Sequence, residues 1–171
     1  MFLVGSLAYN ARALLITAGT TPALATGNET SQAVIEGIIQ GSYGPLNLLY
    51  IQNTPGSEGG PFAGSYTTTL GDPLLTDEDF TITYAGGPWI NSNPVYLLVK
   101  DGKQEPAWYF YNISGWNGTD VIQGENFWPG KGGISHVSIY GNQTAVPNGG
   151  MTAAMLGLGL LGVGFLGRRK A

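Results

Sequence analysis

The sequence holds no cysteine and a single histidine, His136. Without cysteine there are no disulfides, thiolate zinc sites, iron–sulfur clusters or cysteine nucleophiles in this chain. One histidine excludes a His-His metal motif, and any Ser-His-Asp relay would have to run through His136. No G-x-S-x-G nucleophile elbow accompanies it. Charge is also scarce, at 11% of residues, against about 25% in ordinary soluble domains. That excludes coiled coils and long charged helical arrays. Basic charge is scarcest. Before residue 148 there are only Arg12, Lys100, Lys103 and Lys131 against all eleven acidic residues, a net of −7. An acidic body without clustered Lys or Arg argues against nucleic acid as a partner, because phosphate neutralisation needs such clusters.

What the sequence has in quantity is glycine and aromatic residues. Gly 28 and Pro 10 stand among 171 residues, with 11% aromatic and 43% hydrophobic content. This suits one β-rich domain with short appendages. Residues 32–145 show short apolar or alternating runs separated by Gly, Pro, Asn and Asp clusters. The expected strands are 33–40, 46–52, 64–70, 80–84, 95–100, 107–113, 120–123 and 134–140. About eight strands at this spacing predict an all-β sandwich or jelly roll. Asp101-Gly102 reads as the turn of a hairpin. Alternation puts Val95, Leu97 and Val99 on one face, with Tyr96, Leu98 and Lys100 on the other. By the same rule Trp108, Phe110 and Asn112 oppose Tyr109, Tyr111 and Ile113. Val137 and Ile139 oppose His136 and Tyr140.

Both ends differ from this body. Arg12 precedes the apolar run 13–19, and Ala23-Leu24-Ala25 forms an A-x-A site. The segment 1–25 therefore reads as a signal peptide cleaved after Ala25; the alternative is a disordered or buried N-terminal strand. At the other end, the turn cluster Val146-Pro147-Asn148-Gly149-Gly150 is followed by an uncharged segment, Met151 to Gly167, and by Arg168-Arg169-Lys170. From Gly149 to Gly167 a helix would be about 28 Å long at 1.5 Å per residue, close to the roughly 30 Å of a bilayer core. Its five glycines from 157 to 167 disfavour a soluble helix and are common in lipid. A single C-terminal transmembrane helix over 151–167 is expected, with the basic end 168–170 on the cytoplasmic side and the body outside.

The order of these parts resembles the PEP-CTERM family of bacterial sorting tails, nearest to its VPDSG and VPDGG variants. The match rests on Val146, Pro147, Gly149, Gly150, the Gly/Leu-rich segment and the basic end. Asn148 stands where those variants carry Asp. The resemblance implies recognition by exosortase, a membrane transpeptidase-like protease, and transfer to the cell surface or extracellular matrix. The body is also similar to the β-sandwich ectodomains of PEP-CTERM surface proteins. That likeness spans roughly 46–145, through Val95–Gly102, Pro106–Tyr109, Trp116–Thr119, Phe127–Pro129 and Gly133–Gly141. It implies an architecture and assigns no catalytic residues.

The expected organisation is thus a signal peptide (1–25), a β-sandwich ectodomain (26–145) and a sorting tail (146–171). The expected role is a non-enzymatic, exported surface protein with no cofactor, structural or adhesive in an exopolysaccharide matrix or biofilm. Exosortase, membrane lipid and exopolysaccharide are its expected partners. A carbohydrate-binding module is the alternative, with Trp116 and Trp128 in loops as glycan contacts, because aromatic faces stack on sugar faces. A glycan-active enzyme would need a carboxylate pair drawn from Glu58, Glu105 and Glu125. Asp77 and Asp79 form a weak calcium candidate lacking the D-x-D-x-D-G spacing of a calcium loop; a solvated acidic turn is the plainer reading.

Overall fold

The computed structural model describes residues 12–54, 56–71, 79–101, 103–129 and 133–143. The signal-peptide residues 1–11, Asp77, the sorting motif 146–150, the apolar segment 151–167 and the basic end 168–170 lie outside the described residues.

Ten strands and one helix follow in order. They are β1 (Leu14–Thr17), β2 (Ala25–Gly27), α1 (Gln32–Tyr43), β3 (Asn47–Asn53), β4 (Ser57–Gly59), β5 (Tyr66–Leu70), β6 (Phe80–Tyr84), β7 (Val95–Lys100), β8 (Trp108–Asn112), β9 (Ile122–Glu125) and β10 (His136–Gly141). They form a six-stranded sheet ordered β2-β8-β7-β10-β3-β4 and a four-stranded sheet ordered β1-β9-β6-β5. The fold is mostly β, as expected, and the two sheets face each other as a sandwich.

The alternating faces of the central strands are as expected. Val95, Leu97, Val99, Tyr111, Ile113, Val137 and Ile139 point into one core, where they meet Ile16, Phe80, Ile82 and Ile122 of the smaller sheet. Tyr96, Leu98, Trp108, Phe110 and Tyr140 point the other way, into a second core. That second core is closed by a helix. Residues 33–40, expected as a strand, lie within α1. The β-branched Val34, Ile35, Ile38 and Ile39 favour a strand locally, and Gly37 and Gly41 cost a helix about 1 kcal/mol each. Tertiary burial outweighs both: Ile35 and Ile39, one turn apart, are fully buried against the sheet. Gly44, at φ 86°, ends the helix and donates its N–H to the Gln40 carbonyl. The Tyr43 ring closes the joint against Phe110 at 5.3 Å and Tyr96 at 5.8 Å.

Strand β10 lies between β3 and β7, antiparallel to both. On β3 the register slips by one, with Ile139 opposite Tyr50 and Tyr140 opposite Leu48. The bulged Leu49 turns inward with Tyr50, and its carbonyl accepts the Phe62 N–H at 3.1 Å. In the smaller sheet Gly124 pairs with Phe80. A side chain there would collide with the Phe80 ring, so only glycine lets β9 and β6 close.

The N-terminal apolar run is part of this architecture. Leu14–Thr17 pairs in parallel with β9, from Leu14 opposite Ile122 to Thr17 opposite Glu125. Ile16 is 3% exposed in the inter-sheet core. Ala25–Gly27 pairs with Phe110–Trp108 at the edge of the larger sheet. Leu14–Thr17 and Ala25–Gly27 are thus edge strands of the two sheets. A cut after Ala25 would remove β1 and the first residue of β2. Among the described residues no helix is long and apolar enough to cross a membrane.

Ile16→Ala is expected to destabilise the protein by roughly 2–5 kcal/mol, the usual range for deleting a buried Ile side chain, measured by urea unfolding. A change within 0.5 kcal/mol would show that β1 does not contribute to the folded body.

Candidate functional site

One cleft gathers three backbone segments at one end of the sandwich. It is a cleft of about 470 Å³ lined by Thr17–Thr20, Gln104, Glu105, Tyr109, Asn126, Trp128 and Pro129. Ligand clefts span about 300–1,000 Å³.

The first wall is the turn after β1. Thr20 and Thr21 donate their N–H groups to the Thr17 carbonyl at 3.1 and 2.8 Å, and Thr21 Oγ1 accepts the Thr17 N–H at 2.9 Å. The Ala18 N–H donates to the Glu125 carbonyl at 3.0 Å, fastening the turn to β9. The second wall is the β7–β8 loop. Asp101 Oδ1 accepts the Lys103 N–H at 3.1 Å, and the Asp101 N–H donates to the Ala107 carbonyl at 3.0 Å. The third wall is the segment after β9. Its backbone is strained: Asn126 has φ 59° and Trp128 φ 53°, the only two non-glycine residues with positive φ among the described residues. A bulky aromatic in this region is a marked outlier, costing on the order of 1–3 kcal/mol. Local bonds hold both residues there. Asp79 Oδ1 accepts the Asn126 N–H at 3.0 Å, and the Trp128 indole N–H donates to the Pro106 carbonyl at 2.6 Å. Tyr109 packs against Trp128 at 5.3 Å and Phe127 at 5.6 Å. Burial raises the Tyr109 pKa, keeping the phenol protonated.

The cleft therefore offers an aromatic wall, amide groups from Gln104 and Asn126, threonine hydroxyls and one carboxylate, that of Glu105. Such a mixture suits an uncharged polyhydroxylated ligand, whose ring faces are apolar and whose rim is hydroxyl.

The expected glycan contacts divide. Trp116 is packed inside rather than presented. It is 8% exposed, lies against Tyr66 at 5.9 Å, and donates its indole N–H to the Asp120 carbonyl at 2.7 Å. The loop carrying it folds back over the sandwich, so its ring fills the core. Trp128 does line the cleft, but at 6% exposure it shows an edge. The exposed tryptophan is Trp89, at 49%.

The three glutamates do not form one cluster. Glu58, on edge strand β4, accepts the Gly64 N–H at 2.8 Å and the Tyr50 hydroxyl at 3.4 Å. Glu105 is in the cleft, and Glu125 borders it only through its carbonyl, which accepts the Ala18 N–H. Asp79 holds Asn126 in place. Among the described residues no three His, Cys, Asp or Glu side chains gather as a metal site. Gln104, Asn126 and the Thr17–Thr20 turn had no sequence signal as site residues; three distant loops bring them together.

His136 sits opposite Lys100 in the β7–β10 register, and both are buried. Its Nε2 has no hydrogen-bond partner. Desolvation, reinforced by the Lys100 charge, lowers its pKa to about 4. The Lys100 ammonium donates to the Asp101 carbonyl at 3.1 Å, and burial lowers its own pKa despite the pull of Asp101.

Comparison with family models, curated proteins and solved structures gives no match to this chain.

His136 stays neutral in the fold down to about pH 4, whereas in the unfolded chain it protonates near 6.5. Between those values the unfolded state binds more protons, so stability falls as pH drops from 6.5 to 4 and the loss then levels off. The expected loss is about 3 kcal/mol, at 1.36 kcal/mol per pKa unit. His136→Gln is expected to flatten this part of the profile in urea unfolding; an unchanged slope would assign it to other groups.

Proposed function

We propose that this is an exported, non-enzymatic bacterial surface protein whose β-sandwich binds neutral matrix polysaccharide in the Trp128 cleft. The apolar segment 151–167 holds it at the membrane, with the basic end 168–170 inside and the body outside, until exosortase acts at the 146–150 motif. The observation that carries the binding reading is the cleft itself. Its aromatic wall is fixed by a strained segment that the fold maintains against a conformational cost. The order of motif, apolar segment and basic cluster supports the export and sorting reading.

Charge narrows the ligand class. The body is strongly acidic, and among the described residues Glu105 is the one charged side chain lining the cleft. A polyanion such as a uronate polymer would be repelled, whereas a neutral or amino sugar polymer would not. The extended, all-equatorial faces of a β-linked glucan fit an aromatic wall best.

Thr20 is an exposed residue of the cleft wall. Thr20→Trp is expected to fill the cleft and weaken retardation in native gels containing hydroxyethyl cellulose by at least about tenfold in apparent affinity, without changing the melting temperature. Retardation equal to wild type would overturn the cleft as the binding site.

The termini test the sorting reading. Mass spectrometry of host membrane and medium fractions is expected to find a mature chain that lacks Met151–Ala171. An intact tail in every fraction would overturn processing by exosortase. A mature chain starting at Thr26 would mean that the exported form does without β1.

A further inference from the structure

A second cleft, of about 290 Å³, is lined by Phe62, Pro88, Trp89, Asn91 and Gln143. Its place follows from the register. Residues 88–91 precede β7 and Gln143 follows β10, whereas Gln104 and Glu105 of the first cleft follow β7. Since β7 and β10 run antiparallel, with Val95 opposite Gly141 and Lys100 opposite His136, the two clefts open at opposite ends of the larger sheet. Six strand residues put roughly 20 Å between those ends.

Trp89 makes this opening distinctive. It is half exposed, while the other three tryptophans are buried. An exposed large aromatic over a concave, polar-rimmed opening is the usual form of a sugar-stacking platform. Phe62, 1% exposed, closes the floor. The platform is braced from behind. The buried Tyr66 hydroxyl accepts the Ile90 N–H at 2.8 Å and donates to the Gly118 carbonyl at 2.9 Å. Burial pushes the Tyr66 pKa up to about 12, so this clamp stays protonated. Gly118, at φ 85°, lies where any side chain would strike the Ile90 carbonyl and Trp89. The Gln143 amide donates to the Trp89 carbonyl at 3.3 Å, and its Oε1 accepts the Asn91 N–H. The ring is therefore set on a braced backbone, which lowers the ordering cost of binding.

We propose that the Trp89 cleft is a second saccharide-binding site for the same neutral β-linked glucan class, so that one molecule bridges two polysaccharide strands. The proposal rests on the first cleft being a glycan site, and adds that the protein is bivalent and cross-links its ligand. No bond is made or broken; each end holds its strand by stacking and hydrogen bonds. Two weak contacts per molecule multiply when many molecules engage the same pair of strands.

The test uses the full chain with hydroxyethyl cellulose, a neutral β-linked glucan, reading retardation in native gels and the protein-dependent rise in solution viscosity. Trp89→Ala removes a half-exposed ring, and its melting temperature is expected to stay within a few degrees of wild type. It should bind roughly two- to tenfold more weakly and lose the viscosity rise. Thr20→Trp should also lose the viscosity rise while retaining residual retardation through the Trp89 end. The double variant should show neither. Viscosity unchanged in Trp89→Ala would overturn the proposal. So would complete loss of retardation in Thr20→Trp alone, which would leave the first cleft as the sole site. If neither single variant alters retardation, the first-cleft reading falls with it. If Trp89→Ala instead loses binding to phosphatidylglycerol vesicles and keeps full retardation, Trp89 is a membrane-interface residue and the proposal fails.

Discussion

Strands β7 and β10 are buried along their whole length, on both faces. A strand in that position needs a covering layer on each side, and the rest of the molecule is arranged to supply two. The smaller sheet covers one face with Ile16, Phe80, Ile82 and Ile122. The other face is left to a single twelve-residue helix of modest propensity. Polar contacts hold that helix in place. Tyr140, on β10, donates its hydroxyl to Glu36 Oε1 at 3.0 Å, and the Gln32 amide donates to the Tyr140 hydroxyl at 2.6 Å. With Ile35 and Ile39 beneath, these bonds set α1 along the sheet. They also satisfy a phenol whose pKa burial has raised.

A sheet so fully enclosed offers ligands little but its ends. Loops held by a rigid scaffold are where binding groups ordinarily gather, and both clefts lie there. The strain at Asn126 and Trp128 is tolerated because packed rings and two hydrogen bonds over-determine that segment. The result is an aromatic wall held rigid by its own packing.

The alternation in Val95–Lys100, Trp108–Ile113 and His136–Tyr140 was legible because period-2 patterns report faces directly. What covered the second face was not. In residues 33–40 four β-branched residues speak for a strand, while the pairs Val34/Ile38 and Ile35/Ile39 at one-turn spacing speak for a helix. The short strands β2 and β4, three residues each, carry too little pattern to be read. The apolar run 13–19 is compatible equally with a leader and with an edge strand, since both need extended or apolar sequence and neither leaves a periodic mark in so few residues. The site was partly legible. Composition singled out the tryptophans, but which of them face solvent depends on loop closure. Trp116 and Trp128 turn inward, while Trp89, beside Pro88, stays out.

The parallel pairing of β1 with β9 bears on the order in which the chain is made. Leu14 finds its partner, Ile122, on the order of a hundred residues downstream, and closing so long a loop is slow. The first strand to leave the ribosome therefore has no place in the sheet until the body has been synthesised. Throughout that interval the apolar Leu14–Thr17 segment waits without a partner strand, so the smaller sheet is completed only as a late step of folding.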